Sequence, residues 1–201
     1  MRFALALVVA LGAAGPAPAG SGFDHYVLAL SWTPGWCVRE GAERGDDRCA
    51  EGADSGWQVH GLWPQHAEGW PEFCTTAARD PSRRQTAEMV DIMGSAGLAW
   101  HQWRKHGRCS GLNADAYFAK TREAFGRVRL PEPEAATAED LGRALRAVNP
   151  GLEEGQVVIT CSAGRLAEVR VCLTPWLTPR DCGADVLARA CRGPLEVDPR
   201  P

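Results

Sequence analysis

The sequence predicts an α+β fold, with a central, largely antiparallel β-sheet flanked by several α-helices and stabilised by disulfides. Two observations lead to this prediction. Segments with strand patterns lie near both ends of the chain, whereas those between them have helical patterns. Eight cysteines, an even number, follow an N-terminal segment that resembles an export signal, and exported chains of this kind usually form a disulfide framework.

The first 19 residues have the layout of a secretory signal peptide: a charge at Arg2, an apolar core and the small residues "APA" at 17–19. The apolar core of about a dozen residues is shorter than the roughly 20 that a membrane-spanning helix needs. We therefore expect residues 1–19 to be a signal peptide and residues 20–201 to form a single domain. This domain should be soluble, monomeric, free of membrane contact, and secreted or periplasmic.

The charge of the chain excludes a global electrostatic attraction to polyanions. Cleavage at residue 19 would remove Arg2 and change the formal net charge from −3 to −4. Without a positive overall field, any binding of nucleic acid must depend on a local site.

Two strand patterns occur in the first third of the chain. "HYVLALSW", His25–Trp32, is rich in β-formers and almost continuously apolar, which is typical of a central strand buried on both faces. "WQVHGLWP", residues 57–64, is a second strand that Gly61 and Pro64 should end. His60 would then lie near a strand end, where its side chain can face a cleft.

Helical patterns fill the middle of the chain. Residues 82–93 are expected to be helical, and "AWHQWRKH", residues 99–106, predicts a short helix that stops at Gly107. Asn113 can cap a helix that runs through Val128, with three aromatic residues turned inward: Tyr117, Phe118 and Phe125. "TAED", at 137–140, resembles a capping box for a helix ending at 149–151.

The last strands are predicted as a hairpin. "QVVITC" and "LAEVRVCLT" flank the turn sequence Ser162-Ala163-Gly164. Within the second segment, apolar residues alternate with Glu168 and Arg170, which is the period of a strand.

The segment "WHQWRKHGRCSG", residues 100–111, concentrates polar side chains that can carry chemistry. On a helix that advances about 100° per residue, four of them share one arc of about 140°: His101, Gln102, Lys105 and His106. Trp100 and Trp103 lie opposite and would anchor the helix in the core. We expect the polar arc to face a cleft.

This cluster does not have the pattern of a zinc site. Zincins place two histidines four residues apart, whereas His101 and His106 are five apart, and Gln102 stands where no catalytic glutamate is expected. The ammonium of Lys105 would repel a bound metal ion. We expect neither a metal nor another cofactor, and a zinc hydrolase using His60 with these two histidines is the weaker alternative.

The residue types instead favour metal-free phosphodiester cleavage. Two imidazoles, one neutral and one protonated, can remove one proton and deliver another in a single displacement. A lysine can stabilise negative charge that develops on a phosphoryl group. Without metal-activated water the nucleophile must belong to the substrate, and RNA has one in its 2′-hydroxyl.

Two segments of the sequence carry a specific resemblance to a known protein family. "WQVHGLWPQ" and "HQWRKHGRC" resemble the two active-site segments of the ribonuclease T2 family, whose usual forms are H-G-L-W-P followed by Asp or Asn, and H-E-W-x-K-H-G-T-C. The resemblance extends to "YVLALSWTPGWC" at 26–37 and to the cysteine layout. It implies a metal-independent endonuclease that cuts single-stranded RNA through a 2′,3′-cyclic phosphate to 3′-phosphate ends.

The resemblance also implies residue roles. His60 and His106 would form the acid/base pair, His101 would bind phosphate, Lys105 would stabilise the phosphorane, and Trp63 would hold a base. We assign His106 as base and His60 as acid, although the sequence leaves the direction open. The implied disulfides are Cys37 with Cys49, Cys74 with Cys109, Cys161 with Cys191, and Cys172 with Cys182.

Three positions depart from the family pattern. Gln102, which we expect to be a catalytic residue by its position in the motif, replaces the usual Glu of the second segment and keeps a hydrogen-bonding group of similar size. Gln65 replaces Asp or Asn, and Ser31 stands where many relatives carry Gln, so the base preference cannot be carried over. The alternative hypothesis is a secreted RNA-binding protein of the same fold with weakened catalysis. His25 and His66 have no motif role and are expected to be structural or on the surface.

Overall fold

The computed structural model describes residues 22–53 and 55–200. The expected signal peptide at 1–19 lies outside these residues. Within the described part of the chain, no helix combines the length and apolar character needed to cross a membrane.

One four-stranded sheet organises the fold. Its strands are β1 (His25–Trp32), β2 (Trp57–Gln65), β3 (Val157–Ser162) and β4 (Arg165–Leu173). Their order across the sheet is β2-β1-β4-β3, and all neighbours are antiparallel. The predicted α+β class with a central antiparallel sheet is therefore confirmed.

Seven α-helices accompany the sheet: α1 (Thr33–Trp36), α2 (Arg83–Ala87), α3 (Val90–Met93), α4 (Ala96–Lys105), α5 (Ala114–Gly126), α6 (Ala138–Val148) and α7 (Ala184–Leu187). A π-helical turn, Cys37–Gly41, continues α1, and 3₁₀ turns occur at Asp47–Cys49, Gly107–Ser110 and Glu154–Gln156. The count refers to the described residues.

The predicted helix at 82–93 is wrong in its continuity, since it is divided into α2 and α3. Arg122 donates a 2.6 Å hydrogen bond to the carbonyl of Glu88, at the point where the two helices separate. This carbonyl is therefore bonded to a residue of α5. Ser82 caps α2 with a capping box, as its position at the start of the pattern suggests.

Local caps begin the two longest helices. The Asn113 side chain accepts from the amide of Ala116 at 2.9 Å, and α5 extends to Gly126, two residues short of the predicted end. The Thr137 hydroxyl accepts a hydrogen bond from the amide of Asp140, as in a capping box. The Asp140 carboxylate accepts from the Thr137 hydroxyl instead of from the Thr137 amide. These caps satisfy amides that have no partner within the helix.

The core has two parts, one on each face of the sheet. The larger part packs α4, α5 and α6 against residues such as Leu28, Leu30 and Leu62. The smaller part contains Val27, Val158 and Val186 with one disulfide. Strand β1 contributes to both parts, so its expected burial on both faces is confirmed.

The second strand begins at Trp57 as predicted and ends one residue beyond the predicted Pro64, but the expected position of His60 near the strand end is wrong. β2 continues through Gly61 and Pro64 to Gln65, and it tolerates the proline because β2 is an edge strand. The register places Ala29 opposite Gly61 and Leu30 opposite Val59, which leaves His60 as the extra residue of a bulge. His60 therefore lies in the middle of β2, and the bulge sets its direction.

The hairpin between β3 and β4 follows the predicted pattern. Its two-residue turn consists of Ala163 and Gly164, both with positive φ values, 50° and 79°. Positive φ at both positions is the requirement of a type I′ hairpin turn.

The structure contains four disulfides, and they join Cys37 to Cys49, Cys74 to Cys109, Cys161 to Cys191, and Cys172 to Cys182. These are the pairings that the family resemblance implies. The Cys74–Cys109 bond closes a loop of 35 residues and ties the segment after β2 to the turn after α4.

Replacing Cys74 and Cys109 with Ser should lower the free energy of unfolding by roughly 3 to 5 kcal/mol, because the unfolded chain regains the entropy of an open loop. Denaturant unfolding measures this change. The Cys172–Cys182 bond closes a loop of only 10 residues, so its removal should cost less. Peptide mapping of the unreduced protein that joins Cys109 to another cysteine, or finds it free, would refute the pairing.

Candidate active site

A cleft of about 220 Å³ opens beside the edge strand β2. Its walls come from β2, α4, β4 and the segment around α7. The lining includes every residue predicted to act on substrate: His60, Trp63, His101, Gln102, Lys105 and His106. The structure thus brings the two sequence segments to one place.

His60 enters the cleft from the bulge of β2. Its side chain is 37% exposed, and its Nδ1 lies 2.5 Å from Oε1 of Glu168. Because Nδ1 is engaged by the carboxylate, Nε2 is the ring nitrogen that can exchange a proton with a substrate.

Glu168 is a site residue that the sequence analysis missed. It is buried in β4, and its Oε2 accepts a hydrogen bond from Nε of Arg170 at 2.8 Å and lies 2.7 Å from Nη2 of the same guanidinium. Burial acts to raise the pKa of the Glu168 carboxyl, but the bonds and charges of His60 and Arg170 lower it to about 2. The carboxylate is therefore ionised at neutral and mildly acidic pH.

Trp63 connects the two halves of the site. Its Nε1 donates a 2.8 Å hydrogen bond to Oε1 of Gln102 on α4. Its ring centroid lies 5.2 Å from the ring of His60 and 5.3 Å from the ring of His106, which it stacks against. The guanidinium of Arg170 lies 5.2 Å from the same ring, so the indole is held by several protein groups.

Gly61 makes this junction possible. A Cβ at this position would lie 2.3 Å from Oε1 of Gln102 and 2.4 Å from Nε1 of Trp63, well inside van der Waals contact. Glycine therefore allows the helix side chain to approach the strand backbone.

Helix α4 begins at the cap Ser95, whose Oγ accepts from the amide of Leu98. Trp103 anchors it, since the side chain is fully buried against Tyr117 and its Nε1 donates to Asp80 at 3.0 Å. The prediction that Trp100 also anchors the helix is wrong, because its side chain is 38% exposed. The buried face of α4 contains Ala99, Gln102 and Trp103, and Trp100 lies outside it.

The polar arc predicted for α4 therefore has two environments. Gln102 is only 2% exposed, whereas His101 is exposed and Lys105 is half-buried. The ammonium of Lys105 lies 3.5 Å from a carboxylate oxygen of Glu72.

His106 lies at the C-cap of α4, with φ −120° and ψ −44°, and is 5% exposed. Burial, followed by the charges of Lys105, His60 and His101, lowers the pKa of His106 to about 3. Burial and the charge of Lys105 also lower the pKa of His101. His106 is therefore a neutral imidazole at mildly acidic and neutral pH.

Trp70 and Arg189, which also line the cleft, are not indicated by the sequence. Trp70 is 44% exposed and lines the cleft, with the guanidinium of Arg189 5.9 Å from its ring. An isolated tryptophan in an irregular segment has no periodicity that predicts this position. Gln65 is buried and donates to the carbonyl of Pro64 at 2.8 Å.

The two remaining histidines lie outside the cleft lining. His25 is 1% exposed and His66 is partly buried. Within the described residues, no group of three or more His, Cys, Asp or Glu side chains is arranged to hold a metal ion.

A model of the Ribonuclease T2 family matches residues 23–182. This chain belongs to the ribonuclease T2 family. The match covers β1 to β4 and every residue of the cleft named above up to Arg170.

Bacterial ribonucleases are among the curated relatives of this chain. A "Probable ribonuclease" of Haemophilus influenzae is 34% identical over 131 residues, which cover 59% of this chain and 48% of that protein. A "Ribonuclease" of Aeromonas hydrophila is 35% identical over 145 residues, which cover 66% of this chain and 64% of that protein. The chain thus spans about half of the first relative and less than two thirds of the second.

Solved structures share the fold. An RNase-related protein from Calystegia sepium superposes with a TM-score of 0.69 at 18% identity, covering 89% of this chain and 98% of that one. RNase NT in complex with 5′-AMP superposes with a TM-score of 0.65 at 22% identity, covering 88% and 98%. The T2 ribonuclease fold thus extends over most of this chain.

The lowered pKa of His106 predicts a loss of stability on mild acidification. The unfolded chain binds a proton at His106 near the ordinary pKa of histidine, whereas the folded protein binds it only near pH 3. Between pH 7 and pH 5 the unfolded state therefore takes up more protons and is favoured, by roughly 2 kcal/mol for this one residue.

Urea unfolding at pH 7 and pH 5 measures this effect. The His106→Asn variant should lose less stability than the wild-type protein over this interval, whereas His66→Asn should lose as much as the wild type. An equal loss of stability in the wild type and in His106→Asn would show that His106 is not buried as a neutral imidazole in the folded protein.

Proposed function

We propose that the chain is a metal-independent endoribonuclease that cleaves single-stranded RNA by transphosphorylation. The 2′-hydroxyl would attack the adjacent phosphate to form a 2′,3′-cyclic phosphate, which is then hydrolysed to a 3′-phosphate. One observation carries this proposal: the cleft holds two histidines in opposite electrostatic environments. His60 is bonded to a carboxylate, and His106 is buried among cations.

His106 acts as the base in the first step. A buried imidazole with its pKa lowered to about 3 stays neutral at mildly acidic pH and can accept a proton. The proton comes from the 2′-hydroxyl as its oxygen forms a bond to phosphorus.

His60 acts as the acid. The carboxylate of Glu168, at 2.5 Å from Nδ1, stabilises the imidazolium form, which can donate from Nε2 to the 5′-oxygen as the P–O5′ bond breaks. The two histidines exchange roles when water attacks the cyclic phosphate. His60 then accepts the proton of the water, and His106 returns a proton to the 2′-oxygen.

Lys105 and His101 supply the phosphate contacts. Both line the cleft on α4, where the ammonium of Lys105 can stabilise charge that develops on the non-bridging phosphate oxygens. A carboxylate oxygen of the half-exposed Glu72 lies 3.5 Å from this ammonium, so a phosphate can compete with Glu72 for Lys105.

The neutral Gln102 has a positioning role in this scheme. Its oxygen is occupied by Trp63, and its side chain is almost fully buried. It therefore holds β2 against α4. Trp63 and the more exposed Trp70 provide the aromatic surfaces in the cleft for contacts with RNA bases.

The absence of a metal from the mechanism rests on the donor set. The histidines of the cleft surround an ammonium, which opposes a bound cation, and the described residues contain no metal-binding group of three. The substrate supplies its own nucleophile, so metal-activated water is not needed.

A second candidate is a secreted RNA-binding protein that has the same fold and weakened catalysis. The glutamine at position 102, where the family motif usually has Glu, favours it. A cleavage assay separates the two, because a binding protein would retain RNA without producing new ends.

We also propose that residues 20–201 act as one exported, monomeric domain. Four disulfides support an oxidising environment outside the cytoplasm, either periplasmic or extracellular. The segment 1–19 supports export through its signal-peptide pattern.

The purified protein should cleave RNA but not DNA in the presence of EDTA, because DNA lacks the 2′-hydroxyl. The products should carry 2′,3′-cyclic phosphate or 3′-phosphate ends, which mass spectrometry identifies. Replacement of His60 or His106 with Ala should lower turnover by on the order of 10²-fold or more.

His66→Ala is the matched control, since His66 lies outside the cleft lining, and it should retain wild-type turnover. Products with 3′-hydroxyl ends, or a strict need for a divalent metal, would contradict the mechanism. RNA binding without cleavage would favour the second candidate.

A further inference from the structure

The strand β4 carries an ion pair in which Arg170 lines the cleft, while Glu168 lines an adjoining groove together with His60. We propose that Glu168, held by Arg170, is the positioning residue for His60, so that β4 supplies the working carboxylate of this site. This inference rests on the proposed function, because it assigns a role within the same proton transfer.

The geometry gives each oxygen of Glu168 its own partner. Oε1 lies 2.5 Å from Nδ1 of His60 and 3.5 Å from Oγ of Ser31. Oε2 accepts a hydrogen bond from Nε of Arg170 at 2.8 Å and forms an ion pair with Nη2 at 2.7 Å. Because Arg170 holds one oxygen and His60 contacts the other, the orientation of the carboxylate is restrained at both oxygens, and the carboxylate in turn restrains the imidazole ring.

The sheet explains how these residues meet. Glu168 is paired with Ser31 across the β1–β4 ladder, and β1 separates β4 from β2. Glu168 must therefore reach across β1 to meet His60, and the short side chain of Ser31 lies between the two strands. The bulge in β2 presents His60 on this same face.

A buried carboxylate is costly unless it is paired and hydrogen-bonded. A strand residue with a purely structural role could direct its charge to solvent, but Glu168 directs one oxygen to the imidazole of the cleft. Its side chain is only 10% exposed, against 37% for His60. The arrangement orients an exposed histidine by means of a buried anion.

The other charged surroundings of His60 are mainly cationic. The titratable or charged side chains that line the same cleft are His101, Lys105, His106, Arg170, Asp185 and Arg189. Arg39 lines the adjoining groove together with His60 and Glu168. The permanent cations of this set are Lys105, Arg170, Arg189 and Arg39, and Glu168 is the anion that contacts the His60 ring.

In the reaction, Glu168 keeps its charge throughout. The Nε2–H bond of His60 breaks and an O5′–H bond forms, while the P–O5′ bond breaks and the 2′-oxygen bonds to phosphorus. The proton of the 2′-hydroxyl passes to His106. Glu168 orients the ring through Nδ1 and stabilises its positive charge before the transfer, as carboxylates do in other histidine-based sites.

This role also explains why the site has a carboxylate although position 102 on α4 is an amide, Gln102. Gln102 is neutral and bonded to Trp63, whereas Glu168 is charged and bonded to His60. The anion of this cleft that contacts a catalytic histidine therefore comes from the sheet.

The test is the pH dependence of kcat/KM on a mixed-sequence, single-stranded RNA oligonucleotide. Its alkaline limb reports loss of the proton from the acid. Glu168→Gln should lower kcat/KM by about 10- to 100-fold, less than removal of the acid itself. The alkaline limb should move to lower pH, because the imidazolium loses its carboxylate. Glu168→Asp keeps the charge but is one methylene shorter, so its limb should lie between those of Glu168→Gln and the wild type.

Arg170→Gln provides the opposite signature. It removes a cation and keeps the carboxylate, so the alkaline limb should move to higher pH, a direction that loosened packing would not produce. This variant also keeps the proposal testable if Glu168→Gln does not fold, as judged by thermal unfolding. Glu196→Gln breaks a Glu–Arg ion pair outside the cleft and should change neither rate nor limb.

An alkaline limb that stays in place in both Glu168→Gln and Arg170→Gln would overturn the role of Glu168 and leave the proposed function intact. A wild-type protein that does not cleave RNA, or full activity in His60→Ala, would instead overturn the proposed function itself. The two failures are therefore distinguishable in one set of assays.

Discussion

The candidate site depends on the hydrogen bond from Trp63 to Gln102, which joins the edge strand to helix α4. His60 and His106 belong to separate elements, and the indole ring contacts both imidazoles at centroid distances of 5.2 and 5.3 Å. The absence of a side chain at Gly61 permits this junction, because a Cβ there would overlap the bonded atoms. The spacing of the two histidines across the cleft is therefore set by the packing around one tryptophan.

This arrangement gives two residues of the same type different chemical properties. His106 lies at a buried helix end next to Lys105, and these surroundings oppose its protonation. His60 is more exposed and contacts a carboxylate that is itself fixed by Arg170. Acid/base chemistry requires one proton donor and one acceptor at the same pH. In this cleft the difference comes from burial and from the sign of the nearest charge.

Local patterns in the sequence were sufficient for most of the fold. The strand at 25–32, the hairpin around Gly164 and the caps at Asn113 and Thr137 depend on neighbouring residues, and all of them occur in the structure. The four residues at 101–106 were found because their chemistry is unusual for one short segment and because the motif resembles a known family.

What could not be predicted depends on contacts between distant segments. The bulge at His60 results from the register of β1 with β2. No pattern of neighbouring residues in the sequence indicates that the strand continues through Gly61. Glu168 had the position of an ordinary polar strand residue, and its role follows only from strand order.

The most direct test of the account is ¹⁵N NMR of the imidazole nitrogens at pH 5. His106 should be neutral at this pH, because its surroundings oppose protonation, and a doubly protonated His106 would contradict its assignment as the base.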